Sequence, residues 1–501
     1  MDAPSTLFVF LMILLTWCCF YLLRSTSSRR KLPPGPNPLP IIGNIFQLRG
    51  LFHESLTKLS YEYGPLMSLK LGTRTAIVVS SPEIAKELFQ KNDLKCSSRS
   101  IPDALKVLDH HNLSVVWLPV TATRWRDLRK LIKEKLFSAE RLNSNEGLRR
   151  EMVQQLCDYV QECCRSGQAV DIGEAAFTTS LNLISNTVCS VDFARHDSKN
   201  SQVLKENVSD LMKNLTAPNL ADLFPLLAVV DPQGLRRKTK LCLGKLLDFI
   251  DGVMIERLRE RATSVEYLRK NDLLETLLDL MESNETELKY KDIRHLMLDL
   301  FVAGSETTST TTEWGMAELI RNPEKMLRAR AEIDEVIGQC DELIPESSIS
   351  RLPYLQALVK EIFRLHPAGA IVARQADADM EINQYFVPKN AQLILNVSAI
   401  ARDPKLWSNP DSFEPERFLN SEIDVKGKHF QLLTFGAGRR ICPGLPLAHR
   451  MVHLMVATLI HKFDWKLEGG LKPEDMDMSE KSGLTVQKAI PLKAIPVLTM
   501  I

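Results

Sequence analysis

The segment Phe435-Gly436-Ala437-Gly438-Arg439-Arg440-Ile441-Cys442-Pro443-Gly444 constrains this chain more than any other stretch. Its glycines allow backbone angles that a β-carbon forbids, and Pro443 stiffens the turn just past the cysteine. Beyond Pro446, residues 447–461 are apolar and predict a helix. Cys442 is therefore expected in a tight loop at a helix N-terminus. Backbone N–H groups and the helix dipole favour a thiolate there. Arg440, two residues earlier, is placed to meet an anionic group.

A lone loop thiolate with arginines around it suits the axial ligand of a haem iron, where it favours O–O cleavage. A solitary cysteine is more often core filler, but here ten residues stand in register. They match F-x-x-G-x-R-x-C-x-G at every fixed position, and the chain resembles the cytochrome P-450 family. The resemblance implies haem b (iron protoporphyrin IX) on Cys442, with Phe435, Gly436 and Arg440 in the binding loop. It implies a mainly α fold with a smaller β portion, the haem lying between a long central helix and the cysteine loop.

Two further segments carry chemistry. Trp125 and Arg129 stand at i and i+4 and share a helix face. They match the family's W-x-x-x-R helix, whose side chains hydrogen-bond a haem propionate. Buried carboxylates need cationic partners, and Arg440 and Arg374 stand where the family places more of them. Nearby Lys130, Lys133 and Lys135 are expected to stay exposed and form part of a docking face for an acidic redox partner. Every residue from 307 to 312 is Ser or Thr, and these are poor interior helix formers. Ala303-Gly304-Ser305-Glu306-Thr307-Thr308 matches the family's A-G-x-[DE]-T-T. The match implies that Ala303 and Gly304 leave room over the haem and let the helix open. It implies that Thr307 meets dioxygen and that Glu306 brings protons inward. An N-cap box for a helix starting near Thr308 is the competing reading.

Glu361 and Arg364 form E-x-x-R, and Pro415-Glu416-Arg417-Phe418 matches P-E-R-F. Together Glu361, Arg364 and Arg417 resemble the family's structural acid–arginine triad. One segment departs from the plant members' pattern. After His366-Pro367 comes Ala368-Gly369-Ala370-Ile371-Val372-Ala373-Arg374, with fewer prolines and a residue short.

Residues 3–23 are apolar and uncharged, enough to span a bilayer, and Arg24, Arg29, Arg30 and Lys31 follow. The positive-inside rule puts the bulk in the cytosol. We expect an anchor over 1–31 and a catalytic domain over 32–501. A proline hinge at 32–40 joins them, with four prolines between 33 and 38. Membrane lipid is thus a partner, and the endoplasmic reticulum membrane, crossed once, the expected location. A net charge of +1 offers no nucleic-acid partner. The ten cysteines include no C-x-x-C pair, which fits a reducing compartment.

Residues 66–71 and 75–80 predict a hairpin. Helical periodicity runs over 85–91, 125–136, 148–164, 234–261 and 273–282. Strand signals return near Val372, over 392–397 and over 484–492. Residues 170–177, 231–234, 295–301, 463–467 and 484–489 look like a plant subgroup rich in terpenoid hydroxylases. Phe301, Ala303, Ile371, Val372 and Leu484 are the expected pocket residues, all apolar. The resemblance implies a monooxygenase that hydroxylates a lipophilic small molecule, a plant mono- or diterpenoid, using O2 and electrons from NADPH-cytochrome P-450 reductase. A reductase-independent isomerase or dehydratase and a non-enzymatic haem sensor or carrier are the alternatives. The retained Glu306-Thr307 pair argues against both.

Overall fold

The computed structural model describes residues 12, 31–196, 199–263, 268–283, 287–338, 343–481 and 483–498. The apolar span over 3–23 and its flank Arg24, Arg29 and Arg30 lie outside them, save for Met12. No helix among the described residues is long and apolar enough to cross a membrane.

Helix dominates. The longer helices are α1 (Phe52–Tyr63), α2 (Thr123–Lys135), α3 (Glu146–Ser166), α4 (Ile172–Cys189), α5 (Lys199–Thr216), α6 (Leu235–Thr263), α7 (Leu273–Glu282), α8 (Tyr290–Arg321), α9 (Pro323–Ile337), α10 (Pro353–Leu365) and α11 (Leu445–Lys462). The principal sheet holds β1 (Leu66–Leu71), β2 (Arg74–Val79), β3 (Ile371–Gln375) and β4 (Gln392–Asn396), in the order β1-β2-β4-β3. The hairpin register pairs Leu66 with Val79 and Leu71 with Arg74. β4 runs parallel to β2, and β3 antiparallel to β4 with Arg374 opposite Leu393. Alternation sorts the side chains: Ile77, Val79, Leu393 and Leu395 enter one core cluster, while Met67, Leu69, Val78 and Ile394 enter another beneath α1. A small sheet joins Val170–Asp171, β5 (Phe463–Leu467) and β6 (Lys493–Leu498).

α8 is the axis of the main core. Its 32 residues span about 48 Å. The hydroxyl-rich stretch stays helical because its side chains satisfy themselves locally. Ser305, Thr307, Thr311 and Thr312 donate to the carbonyls four residues back at 2.7–3.0 Å. This excludes a helix start near Thr308. Nor does the helix open at Gly304. A β-carbon there would lie 2.8 Å from Ile184 Cγ1 on α4, so this glycine serves the crossing of two helices.

Two other expectations change. The strand expected over 484–492 shrinks to Gln487–Lys488, paired with Glu480–Lys481. The segment bonds side chains of α8 instead: Trp314 Nε1 donates to the Val486 carbonyl at 2.9 Å, and the Leu492 N–H to Glu313 at 2.9 Å. The proline stretch lies docked on the sheet edge. The Ser68 N–H and hydroxyl donate to the Pro34 and Pro33 carbonyls, each at 2.7 Å. A β-carbon at Gly35 would fall 2.0 Å from the Ser68 carbonyl oxygen.

Candidate functional site

The cysteine loop is braced from three sides. Gly436 and Gly438 both take φ +71°, which turns the chain so that the Cys442 N–H donates to the Phe435 carbonyl at 3.0 Å. The Phe435 ring packs edge-on against Phe363 of α10, and Thr434 donates to the Phe363 carbonyl at 2.7 Å. α10 is held in turn by a buried carboxylate. Glu361 receives Arg364 at 2.7 and 2.8 Å and Arg417 at 3.0 Å, so the expected triad forms. On the second side, Asp93 meets the Arg439 N–H and side chain, each at 3.3 Å. On the third, Arg129 of α2 donates to the Ile441 carbonyl.

α11 begins at Leu445, with Gly444 as its N-cap and Pro446 in its first turn, slightly earlier than the sequence predicts. The Gly444 and Leu445 N–H groups and the Arg129 and Arg99 charges favour a thiolate at Cys442, but burial outweighs them and pushes the thiol up. A metal ion held by this sulfur would favour its ionised form.

Four guanidiniums, those of Arg99, Arg129, Arg374 and Arg440, lie close enough to act on one another, and Arg99 and Arg129 also act on this sulfur. Burial and mutual repulsion push Arg374 down to about 10 and Arg440 down to about 9. Arg374 is buried with its face over the Phe89 ring, and its Nε and Nη1 have no hydrogen-bond partner among the described residues. Arg99 Nε likewise has none. Arg440 is committed to main chain: it donates to the carbonyls of Ser97 at 2.5 Å, Val116 at 3.0 Å and Leu118. Trp125 Nε1 donates to the Val115 carbonyl at 3.1 Å, and the Arg440 guanidinium lies over its ring. Trp125 and Arg440 thus hold the 97–118 loop, whereas Arg374 and Arg99 carry the unspent donors. Arg99 was not among the residues expected from sequence; it sits in an irregular loop with no periodicity to expose it.

Haem b brings two carboxylates and an iron. A buried cationic cluster with unsatisfied N–H groups, next to one cysteine at a helix N-terminus, fits both.

Between Asp299 and Ile320, α8 is open only at four residues: Ala303 is exposed, and Val302, Gly304 and Thr307 are half-buried. The Thr307 hydroxyl donates to the Ala303 carbonyl at 2.8 Å. Glu306 is buried, and its Oε1 accepts Gln487 Nε2 at 2.5 Å. Burial raises this carboxyl. The same helix is stitched to the 97–118 loop by Asp299, which accepts the Ser114 hydroxyl at 2.8 Å and the Val115 N–H at 2.9 Å. Of the expected pocket residues, Ile371 and Val372 are half-buried at the start of β3 and Leu484 is exposed. Phe301 is buried, its ring edge-on against Phe193.

Residues 33–494 match the family model for cytochrome P-450. The chain is 55% identical to cytochrome P-450 76T24 of Catharanthus roseus, over 96% of this chain and 97% of that one. It is 47% identical to ferruginol synthase of Isodon rubescens over 99% of each. It is 48% identical to geraniol 8-hydroxylase of Swertia mussotii over 94% of each. With the bracing of Cys442 and the unspent arginine donors beside it, these matches place the chain in the cytochrome P-450 family of haem-dependent monooxygenases.

Proposed function

We propose that this enzyme hydroxylates a plant terpenoid at a site built on Cys442, drawing electrons from NADPH through NADPH-cytochrome P-450 reductase. The observation that carries the site is the buried, unspent donors of Arg374 and Arg99 in one arginine cluster, of which Arg99 and Arg129 act on the braced Cys442. Similarity to proteins named ferruginol synthase and geraniol 8-hydroxylase supports the substrate class.

Haem b, when bound, supplies the activation of dioxygen and the insertion of one oxygen atom into a C–H bond. Cys442 would hold the iron through its sulfur. Arg99, Arg129 and Arg374 would meet the two haem carboxylates, with Trp125 and Arg440 fixing the loop that carries Arg99. Thr307 holds a hydroxyl at the exposed face of α8, and Glu306 moves protons from solvent toward it. Ala303, Ile371, Val372 and Leu484 give the substrate an apolar wall.

The chain spans the endoplasmic reticulum membrane once through residues 1–31, with the remainder in the cytosol. Exposed apolar residues support contact with lipid beyond the anchor: Leu226 is 92% and Val229 88% exposed. Their segment is tied to the tip of the β1–β2 hairpin, where the Thr73 N–H donates to the Leu223 carbonyl at 2.9 Å. Exposed Lys130, Lys133 and Lys135 on α2 offer charge to an acidic reductase surface.

Microsomes containing the chain and a reductase, incubated with a terpenoid panel and read by mass spectrometry, test the reading. NADPH-dependent addition of one oxygen is expected. Cys442→His should abolish turnover and move the carbon-monoxide band of the ferrous protein to that of an imidazole-ligated haem. An unmoved band overturns the ligand assignment.

A further inference from the structure

Glu306 and Thr307 are neighbours in sequence, but successive residues on a helix point about 100° apart. The Thr307 hydroxyl is turned back on its own helix, onto the Ala303 carbonyl at 2.8 Å. Glu306 points instead toward the segment after β5, where Gln487 Nε2 meets its Oε1 at 2.5 Å. Its other oxygen, Oε2, is buried and accepts no hydrogen bond within bonding distance among the described residues, although the Thr485 hydroxyl lies near enough to favour the charged carboxylate.

That segment is not free to move away. Trp314 of α8 donates to the Val486 carbonyl at 2.9 Å. Two residues on, Lys488 lies over the Trp314 ring and donates to the Asp477 carbonyl at 2.5 Å. The Val486 N–H is bonded to the Ala368 carbonyl at 3.0 Å. Gln487 is therefore gripped on both sides and holds its amide at a fixed place against α8.

An amide N–H donates only, so a carboxyl oxygen that accepts it is a poor place for a proton. When Glu306 is ionised the Gln487 amide must turn its N–H to it, because its oxygen would repel the carboxylate. We infer that Gln487 is a positioning residue for the reaction, confining the exchangeable proton of Glu306 to Oε2, the oxygen left open. The inference rests on the reading that Glu306 delivers protons. Each proton that Oε2 gives up is replaced from solvent, so Glu306 is unchanged over a cycle. The choice of a neutral partner matters as much as its geometry. Burial raises the carboxyl, while Gln487, the Thr485 hydroxyl, Lys481 and Lys205 favour its charged form. A cation at 487 would hold Glu306 ionised and leave it no proton to give.

The test uses the full-length, haem-loaded protein. Infrared difference spectra over a pH titration of the resting protein follow the protonated carboxyl band, assigned by its loss in Glu306→Gln. Product formed per NADPH used is measured across the same pH range. Gln487→Lys should move the Glu306 midpoint down and shift the coupling profile to lower pH by the same amount. Gln487→Leu, which removes the donor, should move both up. A midpoint that stays put in both variants overturns the inference, as does a midpoint that moves without the coupling profile. If Glu306→Gln itself leaves coupling unchanged, the proton-delivery reading fails first. If Glu306→Gln uncouples the enzyme and the Gln487 variants do not shift it, the failure belongs to Gln487 alone.

Discussion

Gly304 and Ile184 share one van der Waals site: a β-carbon on the glycine would lie 2.8 Å from Ile184 Cγ1. Gly304→Ala adds about 1 kcal/mol of helix propensity and costs about 1–3 kcal/mol of overpacking. The net expectation is a loss of about 1 kcal/mol, seen as a lower Tm. Ile184→Ala in the same chain should recover most of that loss relative to Ile184→Ala alone. A double-mutant cycle with no coupling would show that the glycine serves the cavity and not the helix crossing.

Arg374 has buried donors to give and nothing in the described chain to receive them. Arg374→Leu should leave the apoprotein fold intact or slightly firmer, because it removes a costly buried charge. Haem retention should fall by about tenfold or more, the worth of a charge-assisted hydrogen bond. Equilibrium dialysis against apomyoglobin measures this, and equal retention in variant and wild type would remove Arg374 from the site.

Thr307→Ala deletes one hydroxyl whose bond is to its own helix, a stability cost of about 1 kcal/mol. Haem content and the carbon-monoxide spectrum should be normal. NADPH should still be consumed, with more hydrogen peroxide and less hydroxylated product. An unchanged ratio of product to NADPH would move the role to Thr308.

His453 on α11 is fully buried, its Nδ1 2.5 Å from the His449 carbonyl, and burial pushes it down to about 3. A depressed folded value means that the unfolded chain takes up the proton first. The stability it contributes is complete above pH ~6.5 and is lost as pH falls toward ~3, about 3 kcal/mol of it by pH ~4. His110 and His295, pushed down to about 3 and about 4 by burial, act in the same sense. Asp299, pushed up to about 7 by burial, acts in the opposite one. Denaturant melts from pH ~7.5 to ~4 should show a falling midpoint, and His453→Leu should flatten that fall. An unaltered slope would mean that His453 does not titrate on unfolding.

Gly35→Ala places a methyl group 2.0 Å from a backbone oxygen, which no rotamer relieves. The proline stretch should detach from β1, and limited proteolysis should cut near residue 35 faster than in wild type. The carbon-monoxide spectrum should not change, since the cysteine loop is braced by Phe363, Asp93 and Arg129. Slow cutting in the variant would count against the docked hinge.

Much of this could be read from the chain. The cysteine loop declares itself because its glycines, arginine and cysteine are contiguous. Trp125 and Arg129 lie one helical turn apart, and the E-x-x-R pair is as local. The hairpin and the helices at 123–135, 146–166 and 273–282 follow from periodicity alone. What the sequence hides is contact across distance. Nothing near Glu306 names Gln487, 181 positions away. Arg99 has no neighbours of its own kind, and its environment comes from three other segments. Gly304 reads as room for a ligand until Ile184 is found against it. The residues after 483 alternate like a strand, but their bonds go to α8 side chains, which no local pattern records.

The partnership of Arg129 with Ile441 also sets a clock. The two are 312 positions apart, and the bonds of Arg440 to the 97–118 loop reach back 322 to 343. At translation rates of 5–20 residues per second, α2 leaves the ribosome roughly 15 to 60 s before its partner does. During that interval the loop carrying Arg99 lacks the bonds of Arg440, and the arginines have neither the sulfur nor a haem carboxylate to face. Haem can be retained only by a finished chain, so a nascent chain arrested before residue 440 should hold none, however completely α8 has folded.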